Sequence, residues 1–168
     1  IDMRNSYEYQ VGHFKGSLDP GMENFRELPE KIDQFDHLKE KTVLTVCTGG
    51  VRCEKASAYL KARGFKDVYQ LQGGMHRYME AYPGQDFDGT LYVFDNRTVW
   101  QNADREKREV VGQCHNCQAS TEEFIDCGND NCNAHLLTCL TCQETHQEGD
   151  RVFCSKECMN ITKATLVT

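Results

Sequence analysis

Two groups of cysteines with different chemical character stand out among the ten in this 168-residue chain. Cys47 opens a short loop, Cys47-Thr48-Gly49-Gly50-Val51-Arg52, with Cys53 directly after it; the other eight lie between positions 114 and 158. The first group reads as a reactive thiol. The apolar run Thr42-Val43-Leu44-Thr45-Val46 before the loop has the character of a buried strand. Cys53 to Arg63 then predicts a helix that stops at Gly64. Strand, loop and helix in that order place Cys47 at the carboxyl end of a strand, where open α/β sheets bind ligands. Inward-facing loop amides and a helix N-terminus, worth about half a positive charge, lower the pKa of such a thiol and leave it ionised at neutral pH. Gly49 and Gly50 let the backbone fold beneath the sulfur. Thr48, Gly49, Gly50, Val51 and Arg52 form the ring that would hold a bound anion or a charged sulfur, Arg52 adding a cationic fork. A lone cysteine in a strand–helix turn is usually structural; the glycines, the arginine and the helix start together favour a reactive Cys47.

The second group reads as metal ligands. Its spacing is Cys114-x2-Cys117, Cys127-x4-Cys132, Cys139-x2-Cys142 and Cys154-x3-Cys158. Eight cysteines in four close pairs match two structural zinc sites of four thiolates each. Sequential sites would join the first two pairs and the last two; interleaved sites would join the first with the third and the second with the fourth. Interleaving is slightly favoured, because it staples a stretch poor in apolar residues into one unit. His115, His135 and His146 are then unnecessary as ligands and read as surface residues. With all ligands thiolates and no water position open, the metal is structural.

The remaining chain supplies elements to position these groups. Val68 to Leu71 reads as a further strand, and Met75, Tyr78, Met79 and Tyr82 share one face of a short helix stopped by Pro83. Strands alternating with helices at this spacing imply a parallel sheet. Met22 to Phe35 has helical spacing interrupted near Pro29, and Leu91 to Phe94 reads as a short strand or docking segment. Beyond it the chain turns polar, with Trp100 as a packing anchor. No apolar run is long enough to span a bilayer, and the clustering of eight cysteines in one tail favours a reduced, cytoplasmic protein over a disulfide scaffold. The chain begins Ile1-Asp2-Met3-Arg4, apparently within a strand, and is expected to be a piece of a longer protein.

Asp2-Met3-Arg4, Glu8-Tyr9, Gly12-His13-Phe14-Lys15-Gly16-Ser17, the Cys47–Arg52 loop and Gly73-Gly74-Met75 together resemble the rhodanese domain over about residues 1–85. That resemblance implies a flavodoxin-like parallel sheet with helices on both faces, a loop cysteine able to carry a persulfide, and a strand and helix preceding Ile1. The six-residue loop is one residue shorter than in related phosphatases, which suits a sulfur better than a phosphate. The longer string Cys47 to Lys55, with the cysteine-rich tail, is similar to the rhodanese-domain tRNA uridine hydroxylases, whose bacterial members carry a further small α/β domain ahead of the rhodanese part. It implies oxygen-dependent hydroxylation at C5 of the wobble uridine of tRNA, with Cys47 as the catalytic residue. The expected layout is a truncated rhodanese-like domain over 1–94, a linker over 95–112, a zinc module over 113–160 and a tail over 161–168. Two alternatives stay open: a sulfurtransferase that carries sulfur from thiosulfate or a protein donor on Cys47, and a non-enzymatic adaptor docking through the zinc module. No flavin or nucleotide fingerprint and no two-histidine, one-carboxylate iron set is visible, and the oligomeric state is not fixed by the sequence.

Charge indicates where RNA would bind. The chain carries a formal net charge of −7, with 19 basic and 26 acidic side chains. Residues 113–158 hold Arg151 and Lys156 against eight acids, so that eight thiolates and two zinc ions would bring this stretch to −10. It should repel a phosphate backbone. The cations cluster instead near Cys47, at Arg52, Lys55, Lys61, Arg63, Lys66 and Arg77, with a second spot at Arg105, Lys107 and Arg108. Asp2 with Arg4 reads as a structural pair, His13 as a turn-fixing hydrogen bonder, His76 as a residue at the pocket rim, and Cys53 as a packed or capping thiol.

Overall fold

The computed structural model describes residues 1–100 and 109–166, and the basic spot at Arg105, Lys107 and Arg108 lies outside them. The chain divides into two compact units, Ile1–Glu109 and Val110–Thr168.

The first unit is a mixed α/β domain built on parallel pairing. Strand β2, Thr42–Thr45, pairs in parallel with β3, Asp67–Gln70. Asp2 bridges Val46 in the same sense, with the Met3 amide donating to the Val46 carbonyl at 2.8 Å. The residues of β2 alternate between the two faces as an extended chain must. Val43 packs with Met22, Leu28, Ile32, Leu60 and Phe65, whereas Val46 packs with Met75, Met79, Phe87 and Leu91. Helix α3, Val51–Ala62, contributes to the first of these clusters and α4, Gly74–Ala81, to the second, so the two helices cover opposite faces. The helical spacing expected over 22–35 is realised in pieces: 3-10 turns over Phe25–Glu27 and Ile32–Leu38 flank one α-turn, Leu28–Lys31. Pro29 sits at the start of that turn, where its missing N–H costs nothing.

Asp2 and Arg4 form a buried ion pair at 2.7 Å. The Arg4 guanidinium also donates to the carbonyls of Glu8 (3.1 Å) and Gly12 (2.7 Å), satisfying orphan acceptors at the end of the short helix α1, Ser6–Val11. The His13 Nδ1–H donates to Tyr9 O at 3.0 Å and the ring stacks on that of Tyr9, which fixes the turn after α1. Two antiparallel pairings were not visible in the sequence pattern: β1 (Gly12–Phe14) with β4 (Phe87–Gly89), and β5 (Leu91–Tyr92) with β6 (Val99–Trp100). The second carries Trp100 into this unit, where it packs on the core and stacks on His76.

The second unit has little apolar core, chiefly Ile125, Leu137 and Phe153. Two short hairpins, β7 (Phe124–Asp126) with β8 (His135–Leu137) and β9 (Gln147–Glu148) with β10 (Arg151–Val152), and two helices, α5 (Leu140–Thr145) and α6 (Lys156–Leu166), follow a turn that holds Cys114 and Cys117; the other six cysteines lie in or beside these elements. His115 is exposed and His135 half-buried. His146 departs from the surface placement expected of it: it is buried, because α5 ends on it and the Phe153 amide donates to its carbonyl.

Candidate active site and metal clusters

Cys47 stands just beyond the end of β2, with the loop closing over it into α3. Gly50 caps that helix at φ +90°, a left-handed conformation that glycine adopts without a Cβ penalty. This twist turns the loop amides inward. The Gly50 N–H donates to Cys47 Sγ at 3.2 Å, and the amides of Arg52 and Cys53 face that sulfur from the first turn of α3. The loop's carbonyls point the other way and are taken up by α4. The Met75 amide donates to Cys47 O at 2.9 Å and the His76 amide to Thr48 O at 3.1 Å. Gly74, at φ +68°, fits beneath the loop only because it lacks a side chain: a Cβ there would lie 2.5 Å from Thr48 O and 2.7 Å from Cys47 O.

The Cys47 thiol is pushed down to about 6. A hydrogen bond from the Cys53 thiol is the largest cause, and the Cys53 and Arg52 amides and the Arg52 charge add to it against the opposing effect of burial. Cys47 is 1% exposed, yet it lines a cavity of about 470 Å³ with Asn24, Phe25, Val51, Arg52 and Phe94. The sulfur therefore lies at the floor of a recess, with its amide donors beneath it.

Thr48, Gly49, Val51 and Arg52 all line this cavity with Cys47, and Gly50 supplies the N–H at the sulfur. The Arg52 fork is held by Glu8, a residue whose role no local spacing could reveal. Its two terminal nitrogens lie 2.5 and 2.7 Å from the Glu8 carboxylate oxygens, and Glu8 is fully buried. The far face of Arg52 lies over the Phe94 ring, 5.7 Å from its centre. Of the other cations expected near the loop, Arg63 pairs with Asp33 and Lys66 with Glu40, while Lys55, Lys61 and Arg77 pair with no acid among the described residues. His76 Nδ1 lies 3.6 Å from a Glu80 carboxylate oxygen.

The eight tail cysteines gather into two clusters, Cys114-Cys117-Cys139-Cys142 and Cys127-Cys132-Cys154-Cys158. This is the interleaved arrangement. Within each, the sulfurs lie within 4.8 Å of one another, and the pairs Cys117–Cys139 and Cys132–Cys154 stand 3.6 and 3.8 Å apart. A tetrahedral centre with bonds of about 2.3 Å to sulfur needs edges of about 3.8 Å, so each cluster fits a metal ion. Outer N–H groups also point at the sulfurs, from Asn129 to Cys158 at 3.3 Å and from the Cys154 amide to Cys127 at 3.4 Å. Such donors orient and stabilise ligating thiolates.

The rhodanese-like domain family matches residues 1–81, and the family described as Rhodanase C-terminal matches residues 88–159. The chain carries a rhodanese-like domain. The Cys47 loop falls within the stretch matched by the rhodanese-like domain, and the cysteine-rich unit within the stretch matched by the C-terminal family. Curated relatives named tRNA uridine(34) hydroxylase match nearly the whole chain. The protein of Cytophaga hutchinsonii is 45% identical over 158 residues, 94% of this chain and 49% of that protein. That of Pectobacterium carotovorum is 39% identical over 99% of this chain and 46% of its own length, and that of Onion yellows phytoplasma 40% identical over 95% and 51%. The chain spans about half the length of the curated relatives it matches. No helix among the described residues is long and apolar enough to cross a membrane.

Proposed function

We propose that this chain is the rhodanese-bearing part of an enzyme that hydroxylates C5 of the wobble uridine of tRNA, with Cys47 as the reacting group. The observation that carries the reading is the Cys47 recess. It offers an ionised sulfur at the bottom of a cavity walled by Phe25, Val51 and Phe94, in a chain 37–45% identical to proteins named for that reaction. The charge of Arg52 is matched by Glu8, so the recess suits a neutral planar base better than a multiply charged oxyanion. Phe94, 68% exposed at the rim, presents a flat face on which an unstacked base can lie. A wobble uridine is a substrate of that kind, because its base sits in a single-stranded loop and swings out at little cost.

In this reading Thr48, Gly49, Gly50, Val51 and Arg52 shape the recess, and the amides hold the charge on Cys47. The acidic second unit leaves the RNA to the first, where Lys55, Lys61 and Arg77 have no acidic partner among the described residues. The two cysteine clusters hold zinc as a structural element. The two units, Ile1–Glu109 and Val110–Thr168, are the working parts, and the protein acts in the cytoplasm. The amide ring would equally stabilise a persulfide, which keeps sulfur transfer as the second reading.

Nucleoside mass spectrometry of tRNA from cells lacking the gene decides between them. The full-length wild-type protein should restore the modified wobble uridine, and Cys47→Ser should lower its yield by about 10³-fold or more, as expected for loss of a covalent or proton-transferring group. Full rescue by Cys47→Ser would remove the enzymatic reading and leave an adaptor. Thiocyanate formation from thiosulfate and cyanide, lost in Cys47→Ser and accompanied by no change in the tRNA, would establish the sulfurtransferase instead.

A further inference from the structure

The wall of the Cys47 recess carries three neutral polar side chains, Asn5, Asn24 and Thr48. Two of them are committed to neighbours within the fold. The Thr48 hydroxyl donates to Glu8 Oε1 at 3.5 Å and accepts from Arg52 at 3.4 Å, and the Asn5 amide nitrogen donates to the Tyr7 hydroxyl at 3.3 Å. Asn24 is different. Its Oδ1 accepts the Arg26 N–H at 3.0 Å, and its main-chain carbonyl accepts the Glu27 N–H at 2.9 Å, so the residue is fixed at the head of the turn Phe25–Glu27. A backbone N–H can only donate, so the side-chain oxygen must face it and the Nδ2 amide must face away from it. That nitrogen has no partner among the described residues, and Asn24 is exposed on the recess wall. The recess therefore offers one oriented, uncharged donor with nothing bound to it.

We propose that Asn24 selects uridine over cytidine by donating its Nδ2–H to O4 of the base. The inference rests on the proposed function, which brings C5 of the base to Cys47. C4 is bonded to C5, so a uracil whose C5 approaches the sulfur at the floor presents O4 to the wall beside it. Cytosine carries an amino group at that place. Two N–H donors would then face each other, and both would lose the water that satisfied them outside. The other features of the recess do not separate the two pyrimidines. Phe25 and Phe94 line it with ring faces, and an aromatic face stacks on any base. Arg52 has its charge matched by Glu8 and gives its terminal nitrogens to that carboxylate.

The test is the binding of two anticodon stem-loops to the full-length protein, identical except for uridine or cytidine at the wobble position, followed by fluorescence anisotropy. The wild type should prefer the uridine loop by about tenfold, the scale of one hydrogen bond gained against one donor left facing a donor. Asn24→Ser keeps an oxygen for the turn but ends there and carries no NH2, so the preference should fall to about twofold or less. Asn24→Asp also keeps the capping oxygen and offers an acceptor that suits the cytosine amino group. Its added charge weakens both loops alike, and the preference should reverse. A preference that survives in both variants, or a wild type that binds the two loops equally, would overturn the proposal and leave the proposed function in place. A full-length wild type that fails to restore the modified uridine in cells would count against that function, and the inference would fall with it.

Discussion

Stripping the metal is expected to unfold the second unit while leaving the first intact. Residues 110–168 bury few apolar side chains, and the eight cysteines are held together by nothing else that could replace a metal. A structural four-thiolate zinc site contributes about 10–16 kcal/mol at neutral pH, which in so small a unit is also its folding energy. The full chain should therefore bind two zinc ions, measured by elemental analysis, and a strong chelator should abolish the dispersed resonances of residues 110–168 without changing those of residues 1–100. Single substitutions examine the pairing: Cys114→Ser and Cys139→Ser should weaken the same ion, and Cys127→Ser and Cys154→Ser the other. A chelated chain whose second unit stays folded would contradict the assignment.

Removing the carboxylate of Glu8 is expected to have the largest single effect on the first unit. Glu8 is inaccessible to solvent, accepts two hydrogen bonds from Arg52 and one from the Asn5 amide at 3.0 Å, and has no water to fall back on. Taking one partner from a buried pair costs about 3–5 kcal/mol, because the remaining charge is left uncompensated. Arg52 keeps 19% of its side chain exposed and can recover some hydration, which places Glu8→Ala near 3 kcal/mol, at the lower end of that range. For a unit of this size that is a fall in melting temperature of about 10 °C or more. Glu8→Gln keeps the hydrogen-bonding shape and should lose less. Thermal melts of the two variants check the order; equal and negligible losses would show that the pair does not hold the loop.

The parts of the site that were legible in the sequence are those made by neighbours along the chain. Strand, glycine loop and helix follow one another from Thr42 to Ala62, so the setting of Cys47 could be read from order alone. The cysteine pairs were equally legible, because two thiolates on one short turn face the same centre; the choice between sequential and interleaved sites needed the fold. What remained hidden depends on contacts between distant positions. Glu8 reaches Arg52 across 44 residues, and Gly74 enters beneath the loop from another helix. Neither carries a local signal, and Glu8 stood out only within a family pattern. The pairing of β1 with β4 was missed because strands of three residues show no alternation to count. Cys53 was read as a packed or capping thiol, and it is fully buried in the same core cluster as Cys47.

Cys47 can act as the reacting group only if its sulfur is ionised at neutral pH, held so by the main-chain N–H groups of its loop. The most direct measurement is the ionisation of Cys47 in the unaltered full chain, followed as thiolate absorbance in the ultraviolet against a Cys47→Ala baseline. A thiol whose pKa is lowered on folding is charged above its midpoint and loses that charge as the pH falls through it, so the absorbance should be largely developed at pH 7 and half lost at about pH 6. A midpoint at about 8.5, where an ordinary cysteine titrates, would mean that the loop does not hold the charge, and the reading of Cys47 as the reacting group would be contradicted.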